Sequence, residues 1–204
     1  MQTKTYAELF ALIQALCGVV FASIETPRIK ALVNRRALRA YRATNYWPRF
    51  LKIGEQRTVT SGVVPFTESG LDNIDTFLRV HKQAPYITAS VQEYDIMVTA
   101  SGATLVCGNL DPSEVFVTYK SQLADTYGDG SGESTAIPTE WFQYLAHGTH
   151  ADYLRAEGQQ EKAALADQEA EGLLQDELIR IDEQHTLQMV ANRVFTNANM
   201  QNRY

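Results

Sequence analysis

The sequence predicts an α+β protein: an antiparallel helical bundle with an inserted antiparallel β-sheet region and an extended C-terminal tail. Three observations predict it. Apolar residues recur at helical spacing up to about Thr44 and again from Pro138 to His185. Between them, from Phe50 to about Gln122, Gly and Pro punctuate short segments rich in Val, Ile, Thr, Phe and Tyr. Residues 186–204 mix Asn192, Asn197, Asn199 and Asn202 with isolated apolar residues, too few for a core of their own. The expected boundaries are N-terminal bundle helices over 1–48, a β-rich insertion over 49–126, a flexible linker over 127–137, a helical hairpin over 138–185 and the tail over 186–204. With 204 residues, 45% apolar and 21% charged, the chain has the composition of an ordinary globular protein, which excludes a collagen-like, wholly disordered or disulfide-scaffold chain.

The first helix is read from Tyr6, Leu9, Phe10, Ile13, Leu16, Cys17 and Val20, one stripe at i, i+3, i+4, i+7 and onward. The apolar run Leu9–Ile24 is bordered by Glu8, contains Gln14 and falls short of the ~20 apolar residues that span a bilayer. It reads as a helix packed on a core rather than a signal peptide, in a soluble intracellular protein. Cys17 and Cys107 lie in apolar stretches without a C-x-x-C spacing and read as reduced, buried small side chains. The second helix takes Thr26 as N-cap and Pro27 as first helical residue and ends before Trp47-Pro48. Ile29, Val33, Ala37, Ala40 and Tyr41 gather on one side of it, with Arg28, Arg35, Arg39 and Arg42 on the other.

In the insertion, Arg57–Thr60, Gly62–Phe66, Ile74–His81, Thr104–Cys107 and Val115–Tyr119 read as strands, with Asp111-Pro112-Ser113 as a turn. Val91–Ala100 suits either a strand or a short helix. Tyr127–Thr135, with Gly-Asp-Gly-Ser-Gly-Glu inside it, reads as a flexible connector. The hairpin's first helix has Pro138 and Glu140 near its start, carries Trp141, Phe142, Leu145, Tyr153 and Leu154, and stops at Gly158. Its second, from about Gln159 to His185, aligns Ala163, Ala166, Ala170, Leu174, Leu178 and Ile181, small residues first and large ones later.

The formal charge of −6 hides a segregation. From Arg28 to Arg57 nine basic residues face the single acid Glu55, whereas from Glu140 to Glu183 eleven acids face three bases. The arginine stripe of the second helix therefore has several readings: a solvated face, salt bridges to the acidic hairpin within or between subunits, or contact with nucleic-acid phosphates. On the between-subunit reading, Glu169, Asp176, Glu177 and Asp182 are the acidic partners of Arg28, Arg35, Arg39 and Arg42. A helix-turn-helix is disfavoured because a β-rich stretch follows the basic helix.

No catalytic constellation is visible in the sequence. Gly128–Gly132 lacks the Lys and hydroxyl residue of a phosphate loop. His147 and His150 share a helix face, but no H-E-x-x-H or thiolate pattern supports a metal, and His81 and His185 stand alone. G-x-S-x-G is absent, and Cys17 sits in a buried stripe. The expectation is a non-enzyme with no catalytic residues, no metal and no cofactor.

Certain segments carry a family resemblance: Thr5-Tyr6-Ala7-Glu8-Leu9; Leu32-Val33-Asn34-Arg35-Arg36-Ala37-Leu38 followed by Trp47; and the block from Ile137-Pro138 through Tyr144-Leu145-Ala146 to Gly158-Gln159-Gln160-Glu161-Lys162-Ala163. In these, and in the order of its elements, the chain resembles the head-to-tail adaptors (connector, gatekeeper or tail tubular protein A-like proteins) of tailed bacteriophages. The resemblance implies a structural virion protein of the neck, assembled in the host cytoplasm as a ring of about twelve copies beneath the portal protein. Such a ring retains packaged DNA, lets double-stranded DNA pass without sequence specificity, and offers a platform to a tail nozzle or other tail or neck protein, with no membrane involved. The helical bundle is expected to face the portal and neighbouring subunits and the β part the tail. The C-terminal tail is expected to reach the portal, with Val194, Phe195, Met200 and Tyr204 as candidate anchors. The alternative is a nucleic-acid-binding protein that uses the arginine-striped helix.

Overall fold

Thr5 starts the first helix by capping it. Its hydroxyl accepts from the Glu8 N–H at 3.2 Å, and the Glu8 carboxylate accepts from the Thr5 N–H at 2.8 Å, which satisfies two donors that the first turn leaves open. The computed structural model describes residues 3–85, 95–99, 102–106, 114–123, 127–128 and 136–201. The chain divides into two compact units, a helical one built from Met1–Tyr46 with Asp125–Tyr204 and a β unit of Trp47–Ala124.

In the helical unit, α1 (Tyr6–Cys17) buries Tyr6, Leu9 and Ile13 and ends at Gly18 in the left-handed conformation. Val20, expected on its stripe, lies past that stop and is 88% exposed. Cys17 is half-buried, and burial pushes its thiol up to about 11, leaving it protonated and unreactive at neutral pH. α2 (Thr26–Ala43) starts one residue earlier than expected, with Glu25 rather than Thr26 at the cap position. The Glu25 carboxylate accepts from the Ala22 N–H at 3.0 Å, while the Thr26 hydroxyl donates back to the Ala22 carbonyl at 3.4 Å, so Thr26 is already in the first turn. Its apolar face, Ile29, Val33, Ala37, Ala40 and Tyr41, is buried as the spacing predicts.

A two-residue ladder, β1 (Thr3–Lys4) against β8 (Ile137–Pro138), ties the chain's start to the entrance of α3 (Thr139–Ala156). α3 buries Trp141, Leu145, Ala146, Gly148 and Ala151, while Phe142, Tyr153 and Leu154 are only partly covered. The turn through Gly158 leads into α4 (Gln160–Gln201). Ala163, Ala166, Ala170, Leu174 and Ile181 of α4 are buried, and the small residues let it approach α3 closely. α4 does not stop at His185. No Gly or Pro occurs after Gly172 to break it, and helical backbone continues to Gln201. Its 42 residues span about 63 Å against about 27 Å for the 18 of α3. The C-terminal segment thus extends beyond the hairpin as expected, with the backbone of a helical continuation of α4.

The connector is anchored where it was expected to be loose. Asn34 of α2 accepts from the Tyr127 N–H at 2.8 Å and donates to the Tyr127 carbonyl at 3.0 Å, and Tyr127 is buried. Gly128 follows at φ 84, where a Cβ would lie 2.7 Å from the Tyr6 ring. Residues 129–135 lie outside the described residues.

Among the described residues the β unit holds two three-stranded antiparallel sheets. In one, β2 (Leu51–Thr58), β7 (Glu114–Ser121) and β4 (Ile74–His81) run in the order β2-β7-β4. In the other, β3 (Val63–Pro65), β6 (Gly102–Val106) and β5 (Asp95–Thr99) run in the order β3-β6-β5. Val64 and Leu105 of the second sheet join Ile74, Phe77, Val80, Val115, Val117 and Tyr119 of the first in one core. The ambiguous stretch resolves as a strand over 95–99, with Ile96 opposite Leu105. β2 begins six residues before the expected Arg57, because a bulge between Lys52 and Glu55 interrupts the alternation by which strands are recognised. Cys107 and Asp111-Pro112-Ser113 lie outside the described residues. Among the described residues no helix is long and apolar enough to cross a membrane.

Gly54 supplies the bulge at φ 62, where a Cβ would come within 2.5 Å of the Pro85 ring. Gly54→Ala is therefore expected to destabilise the β unit by about 2–3 kcal/mol, read as a lower urea midpoint of the β-sheet signal.

Candidate functional site

The arginine stripe of α2 meets the acidic hairpin of the same chain. At its centre is Arg36, which the sequence reading left out of the stripe. With a relative exposure of 4%, it sits among the core positions of α2. Arg36 Nε donates to Asp152 Oδ2 and Nη2 to Asp152 Oδ1, both at 2.8 Å, a bidentate grip on α3. The same Nη2 donates to Asp167 Oδ1 at 2.7 Å, and Nη1 lies 3.5 Å from Glu171 Oε1, both on α4. Gly148 of α3 makes room for it: a Cβ there would lie 3.1 Å from Arg36 Cδ.

Each carboxylate is shared with a second guanidinium. Arg35 reaches Asp152 Oδ2 at 2.8 Å, Arg155 reaches Asp152 Oδ1 at 2.9 Å and Asp167 Oδ2 at 3.2 Å, and Arg39 reaches Glu171 Oε2 at 3.0 Å. Arg28 stands apart, 3.6 Å from Glu157. Burial alone would raise the Asp152 and Asp167 carboxyls. The hydrogen bonds and positive charge of Arg36, helped by Arg35 at Asp152 and Arg155 at Asp167, outweigh burial and hold both below the ordinary aspartate value. Arg36 is driven the other way by the same partners, against its own burial, and keeps its proton.

Three of the four stripe arginines, Arg28, Arg35 and Arg39, are therefore engaged within the chain, by acids other than those expected between subunits. Arg42 makes no ion pair with the described residues and lines an open groove of about 590 Å³ between α2 and α4, with Leu38, Ala43, Leu174 and Leu178. Of the expected acidic partners, Glu169 lies 3.3 Å from His147 Nδ1 and Glu177 accepts from Arg180 of its own helix at 2.9 Å. Asp176 and Asp182 make no ion pair with the described residues. Val194, Phe195 and Met200 fall in the helical backbone of α4, and Tyr204 lies outside the described residues.

His147 and His150 do not converge with other ligands: among the described residues no group of three or more His, Cys, Asp or Glu is placed to hold a metal ion. Burial lowers His150, and the neighbouring charge of His147 adds to this. In the β unit, buried Arg57 donates to the Tyr119 hydroxyl at 2.6 Å, to the Asp72 carbonyl at 2.6 Å and to Glu55 at 2.9 Å, and stacks 4.9 Å from the Tyr119 ring centre. Burial, and then the Glu55 carboxylate that accepts its proton, push the Tyr119 hydroxyl upward. No protein-family model and no curated protein matches the chain.

Two outcomes follow from the network. Asp152→Asn leaves a buried guanidinium short of charge and is expected to cost about 3–5 kcal/mol, seen as a drop in the Tm of helical circular dichroism. The native carboxyls of Asp152 and Asp167 hold their protons more weakly than the unfolded ones do. Their stabilisation is thus complete above the unfolded value of about 4 and is lost as pH falls through the lower native values. Urea midpoints of the helical signal should be flat from neutral pH down to about 5 and fall steeply below about 4, with a shallower fall in Asp167→Asn.

Proposed function

We propose that the chain is a structural virion protein, a head-to-tail adaptor that forms a ring under a portal, retains packaged DNA and provides the platform on which a tail attaches. No reaction is part of this role. The observation that carries the reading is the path of the chain: both ends build one helical unit, and the β unit is inserted between Tyr46 and Asp125. That is the order of the family the sequence resembles. A second feature supports it, a last helix that outruns its hairpin partner by more than 20 residues and offers a long arm to a neighbouring protein.

The electrostatics favour an adaptor over a nucleic-acid binder. Phosphates would have to displace carboxylates from Arg28, Arg35 and Arg39, and the chain as a whole carries −6. Contact between copies on this reading relies on groups outside the network, because the network is closed within one subunit.

Mixed with the portal protein of the same virion, the full chain should assemble into rings visible by electron microscopy. A chain truncated before Thr186 should bind that portal at least about tenfold more weakly. Duplex DNA should show no retention by the chain at about 0.15 M salt. Absence of any portal complex, or tight salt-sensitive duplex binding that Arg35→Glu abolishes, would overturn the adaptor reading.

A further inference from the structure

One line along α4 carries an exposed apolar pair around a notch, with Ile179 bordering a shallow hollow beside Ala43, Thr44 and Tyr46. Leu165 and Ile179 are 69% and 57% exposed, and they lie seven residues either side of Gly172, close to one line along the helix. Glycine in a helix interior weakens it, and at Gly172 nothing among the described residues calls for it: a Cβ would meet no atom of theirs within 4 Å. What the missing side chain permits there is close approach by another body. Glu161, Glu169 and Asp176 flank this line, and Asp176 is without an ion-pair partner among the described residues.

The groove between α2 and α4 has the opposite character. Leu38, Ala43, Leu174 and Leu178 form its apolar floor and Arg35, Arg39 and Arg42 its rim, with Glu171 held by Arg36 and Arg39. Arg42 is the rim cation without an ion-pair partner among the described residues. On α4 itself, Leu174 and Leu178 are displaced by roughly 140° around the axis from Leu165 and Ile179. Leu165 and Gly172 are clear of the groove, so one copy can present them and the groove at the same time.

We propose that the Leu165–Gly172–Ile179 face of one copy docks in the α2/α4 groove of a second copy, with Asp176 against Arg42. Apolar side chains meet an apolar floor, an acid meets a basic rim, and the missing side chain of Gly172 allows the helix to seat. The contact is heterologous, since the two surfaces differ, and repeated copies add in one direction until the rotation closes. The proposal names the contact within the ring proposed above and rests on that reading for closure alone.

The test measures self-association of the full chain by sedimentation velocity up to about 100 µM, and its ring formation on the portal, for the parent and three variants. Gly172→Gln should raise Tm by about 2 °C, as an exposed helix position should, yet weaken association about tenfold. Arg42→Glu should weaken it about tenfold, and Arg42→Glu with Asp176→Arg should restore it. Variants that associate like the parent in both assays, or a parent that is monomeric in both, would overturn the docking contact. Unaffected rings on the portal would do so while leaving the adaptor reading intact. Variant-sensitive self-association with no portal binding would support the contact and overturn the adaptor.

Discussion

A guanidinium in a place that water does not reach must be neutralised on the spot, and the helical unit is arranged around that requirement at Arg36. Desolvating such a cation costs several kcal/mol, so its carboxylates have to be held in good geometry. Asp152 supplies a bidentate pair from α3, and Asp167 and Glu171, one turn apart on α4, supply the rest. Arg155 and Arg39 then take the outer oxygens of Asp167 and Glu171, while Arg35 and Arg155 share the two Asp152 oxygens with Arg36, so positive and negative groups alternate. The arrangement fixes register. Sliding α2 by one turn against the hairpin would bring Leu32 or Ala40 to the acids and carry Arg36 away from them. The β unit applies the same rule on a smaller scale, with Arg57 held by Tyr119, Glu55 and the Asp72 carbonyl.

This closure within one subunit changes what the charge segregation means. A basic helix and an acidic hairpin in one sequence look like complementary faces for different copies, and by charge alone that arrangement and the internal one are equivalent. Proximity along a short connected chain separates them: acids already in the same unit need no association entropy to reach the arginines. The residual charges, Arg42 on the groove and Asp176 on the opposite side of α4, are the ones left to act between molecules.

Much of this was legible in the sequence, and the failures have identifiable causes. Helix faces followed from spacing because Ile29, Val33, Ala37, Ala40 and Tyr41 obey one period. The β unit's core strand followed from the alternation of Val115, Val117 and Tyr119. Arg36 was passed over because its charge suggested solvent, although its place at i+3 from Val33 and i+7 from Ile29 is a core position; periodicity held the signal and residue type masked it. Tyr127 was assigned to a loose connector because glycines follow it, and its two hydrogen bonds to Asn34, 93 residues away, are invisible to any local window. The length of α4 was underestimated because its asparagines are weak helix formers; without Gly or Pro the helix has no reason to stop.

Placing contacts between copies on α2 and α4 has a consequence for the rest of the chain. Both docking surfaces then lie in the helical unit and share one helix, so the geometry of association depends on a rigid element and not on loops. The β unit takes no part, and its exposed apolar residues, Ile53 on β2 and Ile96 and Met97 on β5, are left for a different partner. β5 lies at one end of the described strand order of its sheet. On the adaptor reading that partner belongs to the tail, and the division of the chain into two units becomes a division of labour: other copies and the portal meet the helices, and the tail meets the sheet.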